Sequence, residues 1–437
     1  MSDSVNLPSA LSSNARPPVV KNTPVVALGA GLTLTAVQRL FGESGIPVFS
    51  SCAAEDFSRR SRWYRMIPAS PESQKPDLLA LLLRELPFER AVLVPCADDW
   101  AVAVAALPDH LAAQFPSSTP PLTALRAMVD KRSFSELLTQ QNVPHPATRL
   151  LRSAADLHAL PPEAFQDAIL KPISSVEFAR KFGIKGHFVK CREQAIELSA
   201  QLEFPILLQE YIPGPPDAGY FVEGFFDRTG KLCALLARRR LRMHPAILGN
   251  SSLTVSVPLE DVDSAIQPFL SMLEAVRYRG MFSAEFKFDA RSGQFKLLEV
   301  NARAWWYVGF AAHCGVDLCQ MSYRDALELP VDARMSYDKG RRSFFLSNDF
   351  HAWRKGKKSG ERSIRSLIGP WLGAQEALFR WNDPLPAVFH IGQQIVHAFK
   401  PAARTAAPKR LSQPETRTKL QCSVTSECDR NDLRATQ

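Results

Sequence analysis

Val25-Val26-Ala27-Leu28 is an uninterrupted apolar run that ends on Gly29-Ala30-Gly31, which reads as a buried strand entering a glycine turn. Leu34 to Ser44 carries apolar residues at helical spacing, and Pro47 to Ser50 reads as a second strand. Leu78 to Leu86 repeats the helical pattern and Ala91 to Pro95 the strand, with Asp98 and Asp99 just beyond its C-terminal end. This βαβ opening predicts a parallel sheet with helices on both faces, whose ligands gather at the carboxyl ends of the strands. Gly29 and Gly31 are half of a dinucleotide fingerprint, but the third glycine is missing, so they are read as turn formers.

From Asp130 the pattern changes. Lys131 to Gln140 and Glu193 to Glu203 read as helices, while Ala168 to Pro172 and Ile206 to Tyr211 read as strands. A series of strands follows: Tyr220 to Phe226, Leu232 to Arg239, Leu253 to Val257, Met281 to Asp289 and Phe295 to Val300, with one helix, Asp263 to Val276, among them. Asp227-Arg228-Thr229-Gly230 and Arg291-Ser292-Gly293 have hairpin-turn chemistry. The expected class is α/β, with a mixed or antiparallel sheet in the second half. The expected divisions are a disordered leader (1–22), a leading α/β domain (23–125), a small lobe (126–205), a large lobe (206–330), a basic extension (331–400) and a disordered tail (401–437).

Composition adds limits. The chain has 437 residues, 46% hydrophobic and 22% charged, the balance of a globular protein with a sizeable core. No apolar h-region stands at the N-terminus and no run approaches the ~18 apolar residues of a membrane span, so a cytoplasmic location is expected. None of the eight cysteines forms a C-x-x-C pair, which argues against a zinc site. The net charge of +9 is concentrated: from Arg334 to Arg365 there are ten Lys or Arg against three Asp or Glu. Residues 350–400 combine basic and aromatic positions with a helical face of Val388, Phe389, Gly392, Ile395, Val396 and Phe399. An exposed basic loop with a docked helix is the favoured reading. Peripheral contact with the inner face of the membrane is the alternative. Nucleic-acid binding is not expected, because the aromatics are not spaced as a stacking platform.

The chemistry concentrates in Leu297-Leu298-Glu299-Val300-Asn301-Ala302-Arg303. On a strand Glu299 and Asn301 share a face, and the hairpin to the preceding strand brings Glu285 beside Glu299. Two carboxylates and an amide oxygen on rigid strands make a hard-oxygen site suited to Mg²⁺, or Mn²⁺, with phosphates, and Arg303 could neutralise a transferring phosphoryl group. Upstream stands the arginine run Arg238-Arg239-Arg240-Leu241-Arg242. Arg240 and Arg242 are expected on one face, able to bind a triphosphate and an anionic carboxylate substrate.

With Lys131, Lys171 and Leu208-Gln209-Glu210-Tyr211-Ile212-Pro213-Gly214, these motifs resemble the ATP-grasp superfamily over roughly Val25 to Pro330. The stretch from Arg238 to Asn250 and Asp383-Pro384-Leu385-Pro386 resemble its predicted carboligase branch of carboxylate–amine ligases. The resemblance implies a Rossmann-like leading domain and two lobes that clamp ATP, and homodimers are common in such relatives. It puts Lys131, Lys171 and Gln209 in the nucleotide site and Glu210, Tyr211 and Ile212 in the hinge that reads adenine. Asp217 would meet the ribose, Glu285, Glu299 and Asn301 would hold magnesium, and Arg303 would face the γ-phosphate. The lid departs from the pattern: after Lys171-Pro172 come Ile173-Ser174-Ser175, with no glycine until Gly183, so Ser174, Ser175 and Lys185 are the candidate phosphate contacts there. The implied function is joining a small-molecule carboxylate to an amine through an acyl phosphate. A carboxylating or carbamoyl-phosphate-type enzyme, or a catalytically inactive nucleotide-binding module at a membrane, are the alternatives.

Overall fold

A computed structural model describes residues 23–172, 186–200, 202–246, 248–355 and 363–399. Lys185, Ser174, Ser175, Gly183, the leader and the tail beyond Lys400 lie outside the described residues. The chain divides into a main unit, Met1–His390, and a short one, Ile391–Gln437.

The first sheet follows from the opening apolar runs. Strands β1 (Val25–Leu28), β2 (Val48–Ser51), β3 (Arg65–Met66) and β4 (Val92–Pro95) are ordered β3-β2-β1-β4, all parallel. After β1 the backbone turns at Gly29, with φ +147°, where a Cβ would stand 2.7 Å from the Cβ of Cys96. Only glycine fits that turn. The helix Gly31–Glu43 starts there, and the Gly31 N–H donates to the carboxylate of Asp56 at 3.1 Å. That helix end already faces an anion of the chain itself, in keeping with a turn-forming role for the glycines.

A second sheet is antiparallel: β5 (Thr148–Leu151), β6 (Ala168–Pro172), β7 (His187–Val189) and β8 (Ile206–Glu210), ordered β5-β8-β6-β7. It has its own core, in which Leu157, Phe165, Leu170 and Ile206 are fully buried.

The third sheet carries the long alternating strands. It contains β9 (Gly219–Phe226), β10 (Leu232–His244), β11 (Asn250–Val257), β12 (Gly280–Asp289), β13 (Gln294–Asn301), β14 (Arg342–Phe344) and β15 (Gln375–Glu376), ordered β13-β12-β9-β10-β11-β14-β15. All its pairings are antiparallel except β14 with β15. One side packs on the helix Asp263–Ala275 through Phe269, Phe282 and Phe286. On the other, Phe225 and Met281 share a core with Val25, Leu34 and Phe41 of the first sheet's layer and with Trp305, Tyr307 and Phe310. The parallel sheet and the large sheet are thus fused by common apolar packing.

The segment beyond Pro330 is more ordered than a basic loop. Leu346–Lys355 is a helix and Arg342–Phe344 adds a strand to the large sheet. The polar spacing of Phe350 to Lys358 hid that helix, because Asp349 is the residue that is fully buried. Lys357 and Lys358 lie outside the described residues. Leu385–Phe399 forms the last helix. No helix among the described residues is long and apolar enough to cross a membrane.

Candidate active site

A cavity of about 1400 Å³ opens where the three sheets meet. The first sheet contributes Cys96, Asp98 and Asp99 from the carboxyl end of β4. Lys131, Thr148, Lys171 and Gln209 line it from the segment that holds the second sheet. From the large sheet come Arg238, Arg240, Ser283, Glu285, Glu299 and Asn301, and Arg303 and Trp305 follow just after β13.

The acidic pair comes from register. Glu285 stands directly opposite Glu299 on the β12–β13 ladder, and Ser283 opposite Asn301. Side chains opposite each other on neighbouring strands have Cβ atoms about 5 Å apart, a distance at which two carboxylates repel unless a cation lies with them. Arg240 supplies part of that charge, with Nη2 2.7 Å from Oε1 of Glu285. Among the described residues no three His, Cys, Asp or Glu gather as a metal cluster. The set here is two carboxylates and an amide oxygen, all hard donors, which fits a magnesium ion completed by phosphate oxygens and water.

Arg303 makes a forked contact with Asp98: Nε to Oδ1 at 2.9 Å and Nη2 to Oδ2 at 3.2 Å. Its Nη1 donates to the carbonyl of Ala304. Beside it, burial pushes the Cys96 thiol up to about 12 although the Arg303 charge pulls the other way, so this cysteine stays protonated and is a poor nucleophile. Lys171 donates from Nζ to Oε1 of Gln209 at 2.7 Å, and Gln209 in turn donates to Thr148 Oγ1. Lys131 opens a helix, Lys131–Gln140, whose Asp130 cap accepts from the Ser133 N–H.

Other expected positions are not on the cavity wall. Glu210 is bound to Arg291 and Lys296, and the Tyr211 ring meets Phe188 and Lys287. The N–H groups of Glu210 and Tyr211 donate to the carbonyls of Ala147 and Asp167, which restricts a backbone reading of adenine to the carbonyls and to Ile212, itself buried. Asp217 pairs with Arg239 at 3.1 Å.

Arg242 parts from Arg240. The ladder between β10 and β11 is irregular from Arg240 to Arg242, and an extra residue resets which face a side chain takes. Arg242 lies 3.3 Å from buried Asp349, away from Glu285, and desolvation lowers its pKa while Asp349 opposes that.

The residue that does share a face with Arg240 is Arg238. It is buried, with Nε 2.7 Å from Oε1 of fully buried Glu223, which also accepts from Ser283 Oγ. The Arg238 guanidinium stacks over the rings of Phe221, 3.6 Å from its centroid, and Tyr307, 4.3 Å. Sequence reasoning missed this pair. Two signals were present: period two links Arg238 to Arg240, and Glu223 is a lone charge in the apolar strand Tyr220 to Phe226.

No family model matches the chain. The D-aspartate ligase of Enterococcus faecium is 22% identical over 323 residues, 69% of this chain and 76% of that protein. Among solved structures, an L-amino acid ligase from Bacillus licheniformis superposes with a TM-score of 0.53 at 18% identity, over 70% of this chain and 74% of that one. The biotin carboxylase domain of the Hydrogenobacter thermophilus 2-oxoglutarate carboxylase, solved with MgADP, ADP and bicarbonate, gives 0.56 at 15% identity over 73% of each chain. These likenesses, with the three sheets closing on one cavity, show that the chain has the ATP-grasp fold.

Proposed function

We propose that this protein is an ATP-dependent ligase that activates a carboxylate as an acyl phosphate and joins it to an amine. The observation that carries the reading is the convergence of Lys131, Lys171, Glu285, Glu299, Asn301 and Arg303 on one cavity. The likeness to amino acid and aspartate ligases supports it.

In this reading Lys131 and Lys171 bind the phosphates of ATP, and Gln209 orients Lys171 through its amide oxygen. Glu285, Glu299 and Asn301 would hold magnesium, which would supply charge neutralisation for the phosphates. A carboxylate oxygen of the acid attacks the γ-phosphorus, the bond from that phosphorus to the bridging oxygen breaks, and ADP leaves. The amine nitrogen then attacks the acyl carbon, the carbon–oxygen bond to phosphate breaks, and the nitrogen loses a proton. Arg303, held by Asp98 at the cavity wall, stabilises the negative charge that spreads over the transferring group. Most of the rate comes from positioning of this kind.

The test is magnesium-dependent phosphate release from ATP with pooled amino acids and hydroxylamine, comparing wild type with Glu299→Ala. Hydroxamate formation that the substitution reduces by more than about a hundredfold is the expected result, comparable to loss of a main electrostatic stabiliser. ATP binding without release for any acid would point to a nucleotide-binding module, and absence of ATP binding would sink the reading.

A further inference from the structure

The last helix, Leu385–Phe399, turns its apolar stripe outward. At about 100° per residue, Leu385, Val388, Ile391, Gly392, Ile395 and Val396 fall within an arc of about 140°. The five large side chains of that arc are between 44% and 60% exposed. The side that meets the main unit is the other one. Pro386 and Ala387 are buried there, and the His390 ring lies against Phe57 and Phe345. Docking therefore accounts for one face of the helix and leaves the apolar face uncovered. Helices of globular proteins normally turn such a stripe inward, and a contiguous outward one marks an interaction surface.

Charge decides what covers it. Leu385–Phe399 holds no Asp, Glu, Lys or Arg, so the stripe offers a partner no ion pair. The cations stand at its edges. The Arg60 guanidinium lies 4.5 Å from the centroid of the Phe389 ring, at the border of the stripe. Arg62 donates to the carbonyl of Asn382, beside Trp381. Trp381 is 90% exposed, an indole of the kind that settles at the level of lipid headgroups. Beyond the helix, the sequence from Lys400 to Lys419 carries six Lys or Arg against one acid, Glu415. An apolar helix face with a basic flank is the pair of signals that holds a protein on an anionic bilayer. No described helix is long and apolar enough to cross a membrane, so this one would lie along the surface.

We propose that this face binds the surface of an anionic bilayer. The stripe of Leu385–Phe399 sits at the edge of the acyl chains, and the basic flanks meet the headgroups. This placement holds whatever acid and amine the cavity takes.

The test is co-sedimentation of the full chain with vesicles of phosphatidylcholine alone or mixed equally with phosphatidylserine, at low and high salt. Binding to the mixed vesicles is expected to be at least about tenfold tighter, and to weaken as salt is added. Val388→Gln combined with Ile395→Gln, both at exposed positions, should lower that affinity at least about tenfold and leave the urea midpoint in place. Equal binding to the two vesicles, binding that salt leaves unchanged, or full affinity in the double variant would overturn the proposal. So would a wild-type dimer in sedimentation velocity that ignores vesicles and that the double substitution splits. The stripe would then face a second copy of the chain.

Discussion

At the scale of single residues, the cavity is a set of arginines, each held by its own carboxylate: Arg238 by Glu223, Arg240 by Glu285 and Arg303 by Asp98. A guanidinium presents its donors in a rigid plane, so a two-point contact fixes where the remaining donors aim. Asp98 makes such a contact with Arg303, and it comes from the first sheet while Arg303 follows β13. The leading layer therefore orients a residue of the large sheet. Asp98→Asn keeps the size of the side chain and loses the charge and half of the fork. It is expected to lower kcat about tenfold, equivalent to about 1.4 kcal/mol of transition-state stabilisation, while the KM for ATP stays near the wild-type value. A matching rise in the KM for ATP with kcat intact would mean that Arg303 serves nucleotide binding instead.

Among the elements, the strands of the large sheet were legible because their alternation is strong: period two puts Glu299 and Asn301 on one surface, and the hairpin to the preceding strand puts Glu285 beside Glu299. The separation of Arg240 from Arg242 was not legible. It depends on a one-residue irregularity against β11, and nothing local in Arg240-Leu241-Arg242 marks it. Nor was the anchoring of the last segment, which is a long-range contact. Asp383 is 2% exposed and accepts from Arg39 Nε at 2.9 Å, Ser61 Oγ at 2.9 Å and the Arg62 N–H at 2.8 Å. These partners lie more than 300 positions away, so the sequence shows the Asp383-Pro384-Leu385-Pro386 motif but not what holds it. Removing one member of a buried, hydrogen-bonded pair leaves the other charge uncompensated and costs about 3–5 kcal/mol. Asp383→Ala should therefore lower the urea midpoint and release the C-terminal segment early in limited proteolysis. An unchanged midpoint and an unchanged digestion pattern would show that the clamp does not hold the segment down.

Across the whole molecule, the order of sheets follows from the sequence, but the contacts between them do not, since each lies where distant segments meet. One such contact joins the second sheet to the large one. Glu210, at the end of β8, receives Arg291 at 2.6 Å and Lys296 at 3.1 Å, both from the β12–β13 hairpin. Arg291 and Lys296 also reach Asp289, at 2.8 and 3.4 Å. The Arg291 hydrogen bonds hold the Asp289 carboxyl well below its ordinary value of 3.8, against the desolvation that would raise it. A carboxyl group lowered in the folded state binds fewer protons there than in the unfolded chain, so its contribution to stability is present above the unfolded value. That contribution is lost as pH falls below about 4 toward the folded value. The stability of the protein should decline with acid in that window, with Asp289 supplying a slope of up to about 1.4 kcal/mol per pH unit. In Asp289→Asn the protein should be less stable at neutral pH, and its stability should fall less steeply between pH 4 and 2. Parallel acid profiles for the two proteins would locate the sensitivity in other carboxylates.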